Sequence, residues 1–199
     1  LDFSFNHEVT DKEVIDKLNS ISLLGEFTIG CDTKLTDRTL EALRLKASNL
    51  RVLKIGSYST FSEKALIALL RECSHLQTLQ MGGIYQEVTD RVMEMVAQNS
   101  QLLELDIGEC DGVTDVGMRK LIPSLIQLRS LNIIHCTGLT YASLDLICQK
   151  VSSLKELCMN RYDDNINDSI IESTIGRACF SLEVFDLSLC DKITDVGVF

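Results

Sequence analysis

His135 stands directly before Cys136, the pairing from which a thiolate–imidazole nucleophile can be made. Cys158 has Arg161 three residues on, and a neighbouring cation is what lowers a thiol's pKa towards reactivity. Glu104, Asp106 and Glu109, with Asp111 close behind, form an acidic patch suited to a basic peptide. Tyr85 and Tyr162 bring the side-chain type enriched at protein interface hot spots. Neither a phosphate-binding glycine loop, a Gly-x-Ser-x-Gly elbow nor a His-Glu-x-x-His zinc motif occurs. No Cys-x-x-Cys pair is present either, so the chain is expected to hold no metal and no cofactor.

Which of these groups are free to act depends on the elements that carry them, and those elements repeat. Leucines open successive units at Leu24, Leu50, Leu76, Leu102, Leu128, Leu154 and Leu182, five steps of 26 residues and one of 28. A fixed period of this size marks a solenoid of stacked units. After each opening the fourth position holds Phe27, Leu53, Leu79, Leu105, Leu131, Leu157 and Phe185, and the sixth holds another apolar residue, Ile29 through Leu187. Side chains two apart share one face of a strand, so each segment buries one side and displays the other.

A cap residue follows in every unit: Thr10, Thr36, Ser62, Thr89, Thr114, Thr140, Asn167 and Thr194. Each can accept a hydrogen bond from the free N–H groups of a first helical turn. An acidic residue comes next in all but one, where Tyr141 stands, and this suits the positive end of a helix dipole. Pro123 falls where its helix must be ending. Strands stack about 4.8 Å apart and helices about 8–10 Å, so the stack must bend with its strands on the concave side. The expected architecture is a curved α/β solenoid of about eight units occupying residues 1–199 as one domain. The first unit lacks its opening leucine and the last stops at Phe199, so both ends read as cuts in a longer array.

The eight cysteines fall into this period. Cys31, Cys110, Cys136 and Cys190 share one position just after the strand, and Cys73 and Cys179 share another near a helix end. A free thiol suits such an interior slot as a small apolar group with a weak donor. Cys136 is therefore expected to be structural, which removes the Cys/His catalytic reading and leaves a non-enzyme. Reduced thiols also imply an intracellular, cytoplasmic or nuclear, protein.

The unit Leu-x-x-Leu-x-Leu-x-x-Cys, followed by an aliphatic residue and Thr-Asp-x-Gly, resembles the cysteine-containing subclass of leucine-rich repeats. Leu102 to Met118 carries it with Cys110, Val113-Thr114-Asp115 and Gly117; Leu182 to Val198 carries it with Cys190, Ile193-Thr194-Asp195 and Gly197. That subclass is similar to the repeat region of F-box/leucine-rich-repeat proteins, the substrate receptors of cullin-RING ubiquitin ligases. The resemblance implies capture of a protein substrate by the solenoid, with the ligase adaptor held by an F-box segment not present here. The same repeats occur in scaffold subunits of large intracellular assemblies, such as ciliary or repair complexes, and that alternative stays open.

A net charge of −10 and a pI near 4.7 argue against nucleic acid and against anionic membrane surfaces, and favour a protein or peptide partner, including a basic one. No stretch has the roughly 18 apolar residues of a membrane helix. The expected binding face is the outward side of the strands and the loops after them. Glu104, Asp106, Asn132, Cys158, Asn160 and Asp186 lie on it, and Ile134 ends the same track. Glu109, His135, Arg161, Tyr162 and Tyr85 extend it into the loops. The loops at 82–88 and 160–166 are each one residue longer than their counterparts, and insertions of this kind mark binding edges. Gly30, Gly56, Gly82 and Gly108 run along one track. They read either as a groove admitting a peptide backbone or as an easing of the bend after each strand.

Overall fold

The computed structural model describes residues 1–4, 6, 8–30, 34–56, 60–159, 167–178, 181–188, 190 and 192–194. Strand and helix alternate through them: β1 (Asp2–Phe3), α1 (Asp11–Ser20), β2 (Glu26–Ile29), α2 (Asp37–Arg44), β3 (Val52–Ile55) and α3 (Glu63–Glu72). There follow β4 (Thr78–Gln80), α4 (Asp90–Val96), β5 (Glu104–Asp106), α5 (Asp115–Leu121) and β6 (Ser130–Asn132). The series closes with α6 (Tyr141–Lys150), β7 (Glu156–Cys158), α7 (Asp168–Ala178) and β8 (Val184–Asp186). A 3-10 turn at Ile122–Ser124 extends α5 around Pro123, as the missing proline N–H requires.

The strands form one eight-stranded sheet in sequence order, every pair parallel. A constant period makes equivalent residues neighbours. Phe27, Leu53, Leu79, Leu105, Leu131, Leu157 and Phe185 lie side by side, and the first six of these are buried. Val14, Leu40, Leu66, Met93, Met118, Leu144 and Ile171, four residues after their caps, meet them from the helix side. The core is therefore a continuous layer between sheet and helices. No helix among the described residues is long and apolar enough to cross a membrane.

The cap residues do what their type requires. Thr10, Thr36, Ser62, Thr89, Thr114 and Thr140 each accept from a backbone N–H of the following turn, and Asn167 does so from Ile170. The acidic residue after the cap has a second task that the helix-dipole argument did not anticipate. It reaches the next unit and binds that unit's cap. The Thr36 N–H and O–H donate to Asp11 at 2.9 and 2.6 Å, and Ser62 donates likewise to Asp37. The Thr89 hydroxyl donates to Glu63, Thr114 donates twice to Asp90, and Thr194 twice to Asp168. Asp115 takes both donors of Thr140 and the hydroxyl of buried Ser143. Partial burial pushes the Asp115 carboxyl up, but the bonds from Ser143 and Thr140, with Arg119 nearby, hold it below the ordinary carboxylate value. Asp11 is lowered by the same balance.

Close approach of neighbouring units also explains Gly117 on α5. A β-carbon there would lie 2.3 Å from the Asp90 Oδ1 and 2.9 Å from the Asp90 Cα. The cysteine slot carries a further tie between units. Buried Cys110 donates its S–H to the Met81 carbonyl at 3.4 Å, and Cys136 donates to Ile107 at 3.0 Å. Burial pushes the Cys136 thiol up to about 12, so it is an inert structural group, and Cys110 is raised by the same cause.

Candidate protein-binding surface

The outward residues of the sheet are exposed or half-exposed from β2 to β8, leaving an open face. Glu104, at the start of β5, is exposed and accepts from the Thr78 hydroxyl of β4 at 3.3 Å. At the ends of the strands Asp and Asn have a local task as well as a surface position. The Gly108 N–H donates to the Asp106 Oδ1 at 2.9 Å, the Ile134 N–H to the Asn132 Oδ1 at 3.0 Å, and the Ser188 N–H to the Asp186 Oδ1 at 2.9 Å. Each bond turns the chain out of its strand, as Asx side chains do. One oxygen of each is thus committed to the scaffold. Hydrogen bonds from the Ser188 hydroxyl and N–H hold the Asp186 carboxyl below its ordinary value.

These turns give the glycine track a reason that neither the groove nor the bend supplied. A β-carbon on Gly82 would sit 2.9 Å from the Asp106 Oδ1 of the next unit. Glycine leaves room for the neighbour's turn, and the space it leaves becomes part of the surface. A depression of about 290 Å³ lies there, bounded by Asp106, Glu109, Asn132, Ile134, Gln80, Ile55 and the backbone of Gly56, Gly82, Gly83 and Gly108.

One position past the glycine track, Gly83, Glu109 and His135 all have positive φ, at 77°, 60° and 55°. The units fold alike, so Glu109 and His135 occupy a left-handed conformation that glycine adopts without steric cost. Their side chains border a second depression of about 220 Å³ with Tyr85, Asp111 and Thr137. The Thr137 hydroxyl donates to the Asp111 carboxylate at 2.7 Å, which positions that wall. In the longer loop at 82–88, Ile84 fills the buried slot that Cys110 fills one unit later. The tyrosine beside it is released to the surface, 36% exposed.

The structure therefore brings Asp106, Glu109, Asn132 and Ile134 together, and joins Glu109 to Tyr85 and His135 across a shared wall. Cys158 and Asp186 line neither depression; they continue the same strand row on β7 and β8, in register with Asn132. Burial raises the Cys158 thiol, and Asp186, Glu156 and Asp106 raise it further, the opposite of activation. Asn160, Arg161 and Tyr162 lie outside the described residues. Sequence reasoning missed Gln80 and Ile55 as lining residues. Gln80 was legible as an outward strand position, whereas Ile55 alternates inward and meets the depression only at the strand's end.

A family model described as Leucine Rich repeat matches residues 98–121 and 178–199. A chain in the crystal structure of the Rad7 and Elc1 complex in yeast is similar over 100% of this chain, with a TM-score of 0.61 at 17% identity. The chain spans 64% of that chain's length. No curated protein matches it. The fold is a leucine-rich-repeat solenoid. Such a solenoid offers an extended surface, here the outward positions just described.

Proposed function

We propose that this leucine-rich-repeat solenoid is a non-catalytic protein-binding module whose partner lies on the concave sheet and the loops after β4, β5 and β6. The observation that carries the reading is the juncture of two depressions at Glu109, with the strand-borne Asp106 and Asn132 on one side and Tyr85 and His135 on the other. Glu104, Asp106, Glu109 and Asp111 make this the acidic part of an acidic protein, complementary to a basic protein segment and repellent to nucleic acid. By their place in the sequence alone, Asn160, Arg161 and Tyr162 are proposed as further partner-binding residues.

The parent protein is, in this reading, the substrate receptor of an F-box-type ubiquitin ligase acting in the reducing cytoplasm or nucleus. The repeat subclass supports it, and the similar yeast structure is itself a complex of two proteins, Rad7 and Elc1. Affinity purification of the full-length parent followed by mass spectrometry tests both levels. The expected result is recovery of a cullin, its adaptor and further proteins. Combined Glu104→Lys, Asp106→Lys and Glu109→Lys changes should lose the further proteins and keep the adaptor. A fixed set of partners without adaptor or cullin would replace the ligase with a scaffold subunit. Unchanged recovery by the triple variant would remove the concave face as the binding site.

A further inference from the structure

We infer that the depression between β4, β5 and β6 is a slot for one arginine side chain of an extended segment in the partner protein. The inference rests on the concave-face reading above and specifies what that face recognises. At about 290 Å³ the slot admits a single long side chain and no helix. Its wall is apolar at Ile55 and Ile134 and otherwise bare glycine backbone, so an aliphatic stem can lie against it.

The polar side chains at its rim are the carboxylates of Asp106 and Glu109 and the carboxamides of Gln80 and Asn132. One Asp106 oxygen holds the Gly108 N–H, and the other has no hydrogen-bond partner among the described residues. Neither the Glu109 carboxylate nor the Gln80 amide has a side-chain partner there. Lys54, the basic residue of the adjoining strand, lines no part of the slot and forms no ion pair with Asp106 or Glu109. Two carboxylates on different elements, flanked by an amide, match the planar five-donor fork of a guanidinium better than the compact ammonium of lysine. Neighbouring Glu104 and Asp111 add to the attraction for a cation.

The test is titration of the ¹⁵N-labelled 199-residue chain with acetyl-Gly-Arg-Gly-amide, and with analogues carrying lysine or citrulline in place of arginine. The expected result is saturating shifts of the Gly82, Gly83 and Gly108 amides with the arginine peptide. Lysine should bind at least about threefold more weakly, and the uncharged citrulline peptide should not saturate. Asp106→Asn keeps the turn, since Asn132 makes the same turn one unit later, and Glu109→Gln alters an exposed side chain with no hydrogen bond or ion pair among the described residues. Each should weaken arginine binding about tenfold or more without moving the urea midpoint. Equal binding of the lysine peptide, shifts confined to other residues, or arginine binding unchanged in either variant would overturn the inference. If these variants lose arginine binding but still recover the partner from cells, the slot is not what the partner uses, and the wider concave-face reading stands or falls on the triple variant.

Discussion

The junction between the fifth and sixth strand–helix units and the junction that follows it use the same cap position with different chemistry. At the first, Asp115 follows Thr114 and ties down Thr140 and Ser143 of the next unit. At the second, Tyr141 follows Thr140, half-exposed and with no carboxylate to offer Asn167. Both helices beyond these junctions are capped all the same, α6 by Thr140 and α7 by Asn167. The difference separates two jobs that the Thr-Asp repetition merges. The hydroxyl or amide starts its own helix, and the carboxylate after it fastens the next unit.

The largest expected effect is at a point of close contact. Gly117→Ala should destabilise the chain by about 2–4 kcal/mol, because the β-carbon meets the Asp90 backbone. An exposed helix would instead gain about 1 kcal/mol from the same change, so urea unfolding decides by sign. Asp115→Ala removes three hydrogen bonds, one to a buried hydroxyl, and should cost about 2–3 kcal/mol. Tyr141→Ala, at the equivalent position one unit on, should change stability by less than about 0.5 kcal/mol. Equal costs at the two positions would erase the distinction between the junctions.

Tyr141→Asp should place a carboxylate at the position that binds the next cap in the other units and raise stability by about 0.5–1 kcal/mol. A decrease in the urea midpoint would show that the sixth and seventh units do not approach as the others do. Acidification gives a smaller and graded version of the comparison. The folded-state pKa of Asp115 is lowered, so its charged form favours folding. That contribution is complete above the ordinary carboxylate value of about 4 and disappears as pH falls through the lower folded value. Unfolding between pH 7 and pH 3 should therefore show less pH dependence in Asp115→Asn than in the parent chain. Glu109→Gly should gain up to about 1 kcal/mol by relieving the left-handed backbone. It should at the same time weaken binding on the concave face, and loss of stability would contradict the strain assigned there.

Much of this was legible in the sequence for one physical reason. A 26-residue period forces equivalent residues of neighbouring strands into register, so inward leucines, outward polar rows and cap positions follow from counting. The outward placement of Asp106, Asn132 and Asp186 needed nothing more. The turns they make were not read from the sequence: Gly108 and Ser188 stand two residues after Asp106 and Asp186, but Ile134 stands there after Asn132. Nor was Asp115 binding to Thr140 legible, because the tie joins residues 25 apart through a distance that only packed helices set. The release of Tyr85 depended on which of two adjacent residues, Ile84 or Tyr85, entered the buried slot.

Residue type and spacing thus settled the repeat, the core and the side of the sheet open to a partner, since burial and hydrogen bonding act alike in every unit. Packing settled what differs between units: which carboxylate oxygen is already engaged, which glycine makes room for a neighbour, and where the space left over becomes a slot. Those are distances between chain segments, and a linear pattern does not contain them.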